Sequence, residues 1–391
     1  AKAGAADAAP KTMKALQLAK TGGYDVWKCM EAPIDEVGDD DVRVRVHATG
    51  LNFADALARQ GLYPDAPKTF PVRLGYEVAG TVDAVGKAVD TFAVGDRVVA
   101  FTRFGGHAEY AVTRAEYCAP LHASISYEAA AAMPVNYVTA HFMLFTQAHV
   151  EAACKQFKVR VLVHQAAGGV GTAVAQLVRH VCGGSDKVVL FGTASAPKHD
   201  YCRAHGYDHL IDYRSQDFVV EVNKLTNNEG VDFVLDAVGG DSFRRGYSLL
   251  RPGGQMVMFG AAQLSGGEKR SLLNVARGWW AMKSYGALEL MNDNRSVGGA
   301  NLGHMWHEGA RLLRPALVSV LESMQGGDGA AIKPVVDKTF KFSDCADAMR
   351  YLGEGKNKGK IVLVPDHLYV GDDADAADAD DADDDDDASS C

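Results

Sequence analysis

The sequence is poor in the features that mark metal-binding, secreted and membrane-spanning proteins. Its seven cysteines (Cys29, Cys118, Cys154, Cys182, Cys202, Cys345 and Cys391) form no C-x-x-C pair and no other ligand spacing. A dispersed, odd set argues against a disulfide framework and for reduced, mostly buried thiols in a reducing compartment. No uninterrupted apolar run reaches the roughly eighteen residues that a spanning helix needs. The N-terminus lacks an apolar signal core, so secretion is not expected; the Ala1 start is compatible with loss of an initiator Met or of a transit peptide.

Positive charge is also scarce, but the deficit is local. The net charge is −10, and Asp372 to Asp387 alone holds eleven Asp with no Lys or Arg. Setting those eleven charges aside leaves about +1 for the rest of the chain. The body is nearly neutral and has no basic stripe, so nucleic acid is not an expected partner. The acidic run reads as a solvated tail, with weak Ca²⁺ binding or docking on a basic partner as the alternative.

What is present is an α/β grammar. A chain of 391 residues exceeds what one core usually fills, and 41 glycines punctuate short loops. Ala1 to Thr12 is an Ala-rich arm. From Met13 come short β runs over Lys14–Leu18, Asp41–Ala48, Gly75–Val85, Asp96–Phe101 and His107–Val112, the pattern of a mainly antiparallel β domain. After about Asn136 the runs Val159–His164, Lys187–Gly192, Phe233–Asp236 and Gln255–Gly260 are nearly continuous in apolar residues, with a further strand near Val297–Leu302. Helical patterns separate them at Thr139–Glu151, Gly171–Val181, Lys198–His205, Phe218–Thr226 and Asp241–Leu250. Alternation of this kind signals parallel strands buried on both faces. A helix over Pro315–Met324, a strand over Lys333–Phe342, a helix near Ala346–Leu352 and a strand over Lys360–Val364 follow.

One loop carries chemistry. Val161 to Gly171 reads as a buried strand, a Gly-rich turn and a helix start, with Ala166, Gly168 and Gly171 at the three small positions of G-x-G-x-x-G and Gly169 and Val170 between them. Small residues let a pyrophosphate approach the helix N-terminus, where free N–H groups and the helix dipole favour an anion. The next strand ends in Gly192-Thr-Ala-Ser-Ala-Pro-Lys198, without the carboxylate that would hold a ribose 2′-hydroxyl. Ser195, Lys198 and Tyr213 suit a 2′-phosphate instead, so NADPH is favoured over NADH; a solvated helix cap with an incidental Lys is the alternative.

The residues Gly50-Leu-Asn-Phe-Ala-Asp-Ala56, Arg59-Gln-Gly-Leu-Tyr-Pro64, Ala166–Gly171 and Gly359-Lys-Ile-Val-Leu363 resemble motifs of the medium-chain dehydrogenase/reductase superfamily. Within it, the chain is similar to the quinone oxidoreductase branch that includes ζ-crystallin. Val135-Asn-Tyr137, Phe191-Gly-Thr-Ala-Ser195, Ala276-Arg277 with Trp279-Trp280, and Asn301-Leu-Gly303 resemble the vesicle amine transport group of that branch.

The resemblance implies a Rossmann domain, a doubly wound parallel sheet, inserted in a GroES-like, mainly β catalytic domain. The expected boundaries are an arm over 1–12, catalytic segments over 13–136 and 303–366, the NADPH-binding domain over 137–302 and a disordered tail over 367–391. It also implies a homodimer joined through edge strands near Val297–Leu302. Thr139 is expected near the nicotinamide amide, Gly192, Lys198 and Tyr213 around the 2′-phosphate, Phe259 and Gly260 along the nicotinamide site, and Asn357 reaching the cofactor from the last segment.

Zinc-dependent relatives have a Cys near Asn52 and a His where this chain has Tyr76 in Gly75-Tyr76-Glu77, and no four-Cys lobe is present. No metal is expected. Without a Lewis acid, hydride transfer to a quinone or α,β-unsaturated carbonyl is favoured over alcohol oxidation. Asn52 and Tyr63 are candidate oxyanion donors; Tyr63 could donate a proton or merely pack. Asp55 is a candidate for binding water or ribose, or for capping a helix. A cytoplasmic enzyme is expected, or an organellar one after transit-peptide removal. The alternative is an NADPH-binding scaffold associated with membrane surfaces or lipid handling, with little turnover.

Overall fold

The computed structural model describes residues 11–264, 267–268, 276, 278, 281–282, 284–325 and 331–370. Residues 1–10 of the arm, the tail from 371, and the Arg277, Trp279 and Trp280 motif residues lie outside that set.

The N-terminal part is β-rich. Strands β1 (Thr12–Leu18), β2 (Trp27–Pro33), β3 (Asp41–Leu51), β4 (Val72–Arg73), β5 (Glu77–Val85), β6 (Arg97–Phe101), β7 (Tyr110–Arg114) and β8 (Cys118–Pro120) surround one short helix, α1 (Phe53–Arg59). Alternating Val42, Val44 and Val46 point into one core with Val78, Val82 and Val98, which fixes the β3–β5 register, Val44 opposite Val82. Helices α2 (Tyr127–Ala131), α3 (Pro134–His141) and α4 (Val150–Cys154) then lead into the second unit.

That unit alternates strand and helix: β9 (Val159–His164), α5 (Gly169–Cys182), β10 (Val188–Ala194), α6 (His199–Ala204), β11 (His209–Asp212), α7 (Phe218–Leu225), β12 (Val231–Asp236), α8 (Asp241–Ser248), β13 (Leu250–Met258), α9 (Ala287–Asp293) and β14 (Ser296–Gly299). All its strands are parallel, in the order β11-β10-β9-β12-β13-β14, the Rossmann arrangement. Ala173, Val174, Leu177 and Val178 of α5 recur at helical spacing and are buried under the sheet. Each such large side chain contributes about 1.5–3 kcal/mol.

The last segment returns to the first unit. β15 (Val336–Lys341) and β16 (Lys360–Val364) extend its large sheet in the order β15-β16-β3-β5-β6-β8, with β7 paired to β3. The α/β architecture is therefore a GroES-like β unit assembled from both ends of the chain, with the Rossmann sheet between them.

Several expected elements differ. The helix expected over Thr139–Glu151 is broken: Pro134 at its first turn starts α3 earlier, a π-turn occupies Phe142–Gln147, and His149 at φ 49° separates α4. Apolar periodicity does not register i+5 bonding. The run His107–Val112 pairs later, as β7, because the His107 backbone is engaged by Leu74 and Leu16. β11 was not anticipated; it is four residues long and only Ile211 in it is fully buried. Residues 367–370, expected in the tail, continue an ordered turn in which His367 Nδ1 lies 3.4 Å from Glu109 Oε1.

Candidate functional site

The two units enclose one cleft of about 1170 Å³. The C-terminal ends of β9, β10 and β13 open into it, the position where doubly wound sheets receive ligands.

The Gly-rich turn forms one wall. Gln165 adopts φ 57°, Ala166 N–H donates to Thr193 O at 3.0 Å, and Gly168 caps α5 in extended geometry. The small residues are required by contact: a Cβ at Gly169 would overlap the Asn136 amide, and one at Gly171 would lie 2.6 Å from Ala166 O. Gly359 N–H donates to Ala167 O at 2.9 Å, so the turn is tied to the segment that leads into β16. These backbone groups at the start of a fourteen-residue helix fit a pyrophosphate.

Ser195 and Lys198 at the tip of β10 and Tyr213 at the tip of β11 all line the cleft. Lys198 Nζ donates to Gly355 O at 2.8 Å and Asn357 O at 2.5 Å, and burial lowers its pKa. The Asp337 charge opposes that shift, while Lys358 and Arg214 add to it, so charges of both signs surround the ammonium. Thr139, Phe259, Gly260 and Asn357 also line the cleft, together with Gly168, Gly169, Val170 and Gly171.

Ala166 and Gly192 do not line it. A Cβ at Gly192 would lie 2.7 Å from Ala166 Cβ and 2.8 Å from the Tyr207 ring, so Gly192 permits close packing behind the turn rather than touching a ligand.

At the other end, Asn52, Tyr63, Tyr76, Phe104 and Lys360 meet. Lys360 Nζ donates to Glu77 Oε1 at 2.5 Å and to Asn52 Oδ1 at 2.7 Å. An ammonium offers only donors, so this contact sets the orientation of the Asn52 amide. Asn52 Nδ2 then donates to Glu77 Oε1 at 2.8 Å and Gly50 O at 3.3 Å. The amide is fully occupied, which revises the expectation that Asn52 donates to an oxyanion. Glu77 Oε2 accepts from Val135 N–H at 2.7 Å and anchors the start of α3.

Asp55 is fully buried and lies behind the wall. Its Oδ2 accepts the Asn52 backbone N–H at 2.8 Å in a capping box, and its Oδ1 sits 3.3 Å from His107 Nε2. The capping alternative describes it, not contact with water or ribose in the cleft. Tyr63 is placed as a cleft residue: its hydroxyl donates to Asn301 Oδ1 at 3.4 Å, and burial with the Asp65 charge pushes its pKa up to about 12. Asp65 Oδ2 lies 2.8 Å from His304 Nε2, so two contacts bridge the mouth.

The residues that sequence reading missed are Glu77 and Lys360. Both stood in recognised motifs, but nothing in their spacing joins positions 283 residues apart. Among the described residues, no cluster of three or more His, Cys, Asp or Glu is placed to hold a metal ion. The positions where zinc-dependent relatives are expected to carry Cys and His hold the Asn52 amide, bonded to Lys360 and Glu77, and the Tyr76 phenol. No helix of the described residues is long and apolar enough to cross a membrane.

Comparison with known proteins agrees with this architecture. Residues 38–123 match the alcohol dehydrogenase GroES-like domain family and residues 205–363 the zinc-binding dehydrogenase family. The chain is 40% identical over 355 residues to the human synaptic vesicle membrane protein VAT-1 homolog, covering 90% of this chain and 86% of that protein. The crystal structure of human synaptic vesicle membrane protein VAT-1 homolog-like protein superimposes with a TM-score of 0.75 at 32% identity, over 91% of this chain and 99% of the other. Escherichia coli quinone oxidoreductase complexed with NADPH superimposes with a TM-score of 0.74 at 26% identity, over 90% of this chain and 100% of the other. By fold, motif and overall identity, the chain belongs to the medium-chain dehydrogenase/reductase superfamily, in the family of the VAT-1 homologues.

Proposed function

We propose that this protein is a zinc-independent, NADPH-dependent oxidoreductase that reduces a quinone or an α,β-unsaturated carbonyl. One observation carries the reading: a glycine-rich helix start suited to a pyrophosphate, Ser195 and Lys198 at the β10 tip and an aromatic-walled chamber open into a single cleft. NADPH bound there would supply the hydride. The Gly168–Gly171 backbone would hold its pyrophosphate; Ser195, Lys198 and Tyr213 its 2′-phosphate; Thr139, Phe259 and Gly260 its nicotinamide end, with Asn357 closing the cleft from the last segment. The Glu77–Lys360–Asn52 cluster stiffens the floor beneath the acceptor, and Tyr63 covers it and keeps water out. A structural neighbour carries NADPH and the name quinone oxidoreductase, which supports the same assignment.

The test is NADPH consumption by the full chain with 1,2-naphthoquinone and a series of 2-alkenals. Tight NADPH binding with no turnover across that panel would favour the second reading, an NADPH-binding scaffold acting at a membrane surface. The vesicle-membrane names of the relatives support that alternative. The acceptor under the first reading is a small molecule, and a cytoplasmic location suits both. A homodimer joined through the open edge of β14 is part of the proposal; light scattering of the purified chain checks it.

A further inference from the structure

Among the described residues, the acceptor end of the cleft contains one buried donor without a hydrogen-bond partner. Tyr76 is 9% exposed and lines the cleft, and its hydroxyl, shielded from bulk water, makes no hydrogen bond to any described residue. The neighbouring buried donors are committed. Asn52 serves Glu77 and Gly50, Thr102 Oγ1 donates to Gly75 O at 2.9 Å, and Lys360 serves Glu77 and Asn52. Tyr63 donates to Asn301, and Arg103 sits exposed at the rim.

Packing alone does not account for the hydroxyl. The Tyr76 ring stands nearly perpendicular to Tyr63, centroids 5.9 Å apart, and tilts against Phe104 at 5.6 Å. A Phe would make the same ring contacts without burying an unpaired polar group, and such a group opposes folding unless something pairs with it. Three aromatic side chains around one unpaired donor form a slot for a flat, conjugated molecule that carries an oxygen.

We infer that Tyr76 is the specificity-determining donor of the acceptor site, its hydroxyl receiving a carbonyl oxygen of a planar aromatic ketone or quinone. This rests on the proposed reading of the cleft as the site of a conjugated carbonyl acceptor. Burial, with the Asp55 charge, raises the phenol pKa well above its usual value, so the group is a donor throughout the physiological range. The contact transfers no proton: Tyr76 remains a phenol and polarises the carbonyl.

The test compares binding of 9,10-phenanthrenequinone with that of phenanthrene, which has the same rings and no oxygen. Both are titrated into the full chain, with and without NADP⁺, so that no turnover is needed. The wild type is expected to prefer the quinone by about tenfold, the scale of one desolvated hydrogen bond. Tyr76→Phe should lose that preference, bind phenanthrene as before, and melt at the same or a higher temperature. Equal quinone affinity in wild type and Tyr76→Phe overturns the inference. So does a wild type that does not prefer the quinone, or loss of the preference in Tyr63→Phe or Arg103→Met but not in Tyr76→Phe. Turnover is read separately: a quinone preference that depends on Tyr76 without NADPH oxidation sinks the enzymatic reading and keeps this contact.

Discussion

Lys360 and Asn52, 308 residues apart, are joined by a buried hydrogen bond of 2.7 Å at the floor of the cleft, with Glu77 bonded to both. The cluster ties β16 to the turn before α1 and, through the Val135 N–H, to the start of α3. The aromatic end of the cleft and the start of α3 are thus held by one set of polar contacts.

Removing one partner from that cluster should be severe. Lys360→Met leaves the Glu77 carboxylate buried without its counter-charge, an effect of about 3–5 kcal/mol. Combining it with Glu77→Gln should cost less than the two single changes added together. Urea unfolding of the three variants measures this; strict additivity would show that the pair is not coupled.

The phosphate turn should tolerate no side chain at Gly169. Gly169→Ala places a methyl group against the Asn136 amide and displaces it into the cofactor wall. NADPH affinity should fall about tenfold or more, as expected when a close backbone approach is blocked, while the melting temperature changes little. A fluorescence titration reads the affinity.

Lys198 should set the choice of dinucleotide. Lys198→Ala removes the cation held between Gly355 O and Asn357 O. NADPH binding should weaken by about 1.5–3 kcal/mol, the range for a hydrogen bond to a charged group, and NADH binding should hardly change. Equal losses for both cofactors would place Lys198 in domain docking instead.

Stability should decline on mild acidification. Burial lowers the pKa of His164, and also of His47 and His141, below the ordinary 6.5. In the window between the lowered folded values and 6.5 the unfolded chain binds more protons, so stability present at pH 7.5 is lost as pH falls below about 6.5. The urea midpoint should be lower at pH 5.5 than at pH 7.5, and His141→Gln should reduce the difference.

The parallel strands and the phosphate turn were legible because their signals are local. Val159–His164 is one apolar run, and the turn after it carries its small residues within a few positions. β11 and the broken helix after Thr139 escaped because four residues make no pattern and a π-turn has no signature of its own. Asp55 shows the converse: a carboxylate near a cleft motif reads as chemistry until its partners, the Asn52 N–H and His107, are seen.

By itself the sequence determined the alternation that makes a Rossmann sheet, the small residues at the helix start, and the absence of a carboxylate at the β10 tip. These follow from periodicity and sterics along the chain. Only the tertiary structure decided that Lys360 occupies the amide of Asn52, that Lys198 spans 159 residues to reach Asn357, and that the Tyr76 hydroxyl stays unpaired. Hydrogen bonds are made between atoms close in space, and spacing along the chain carries no record of which distant groups a fold brings together.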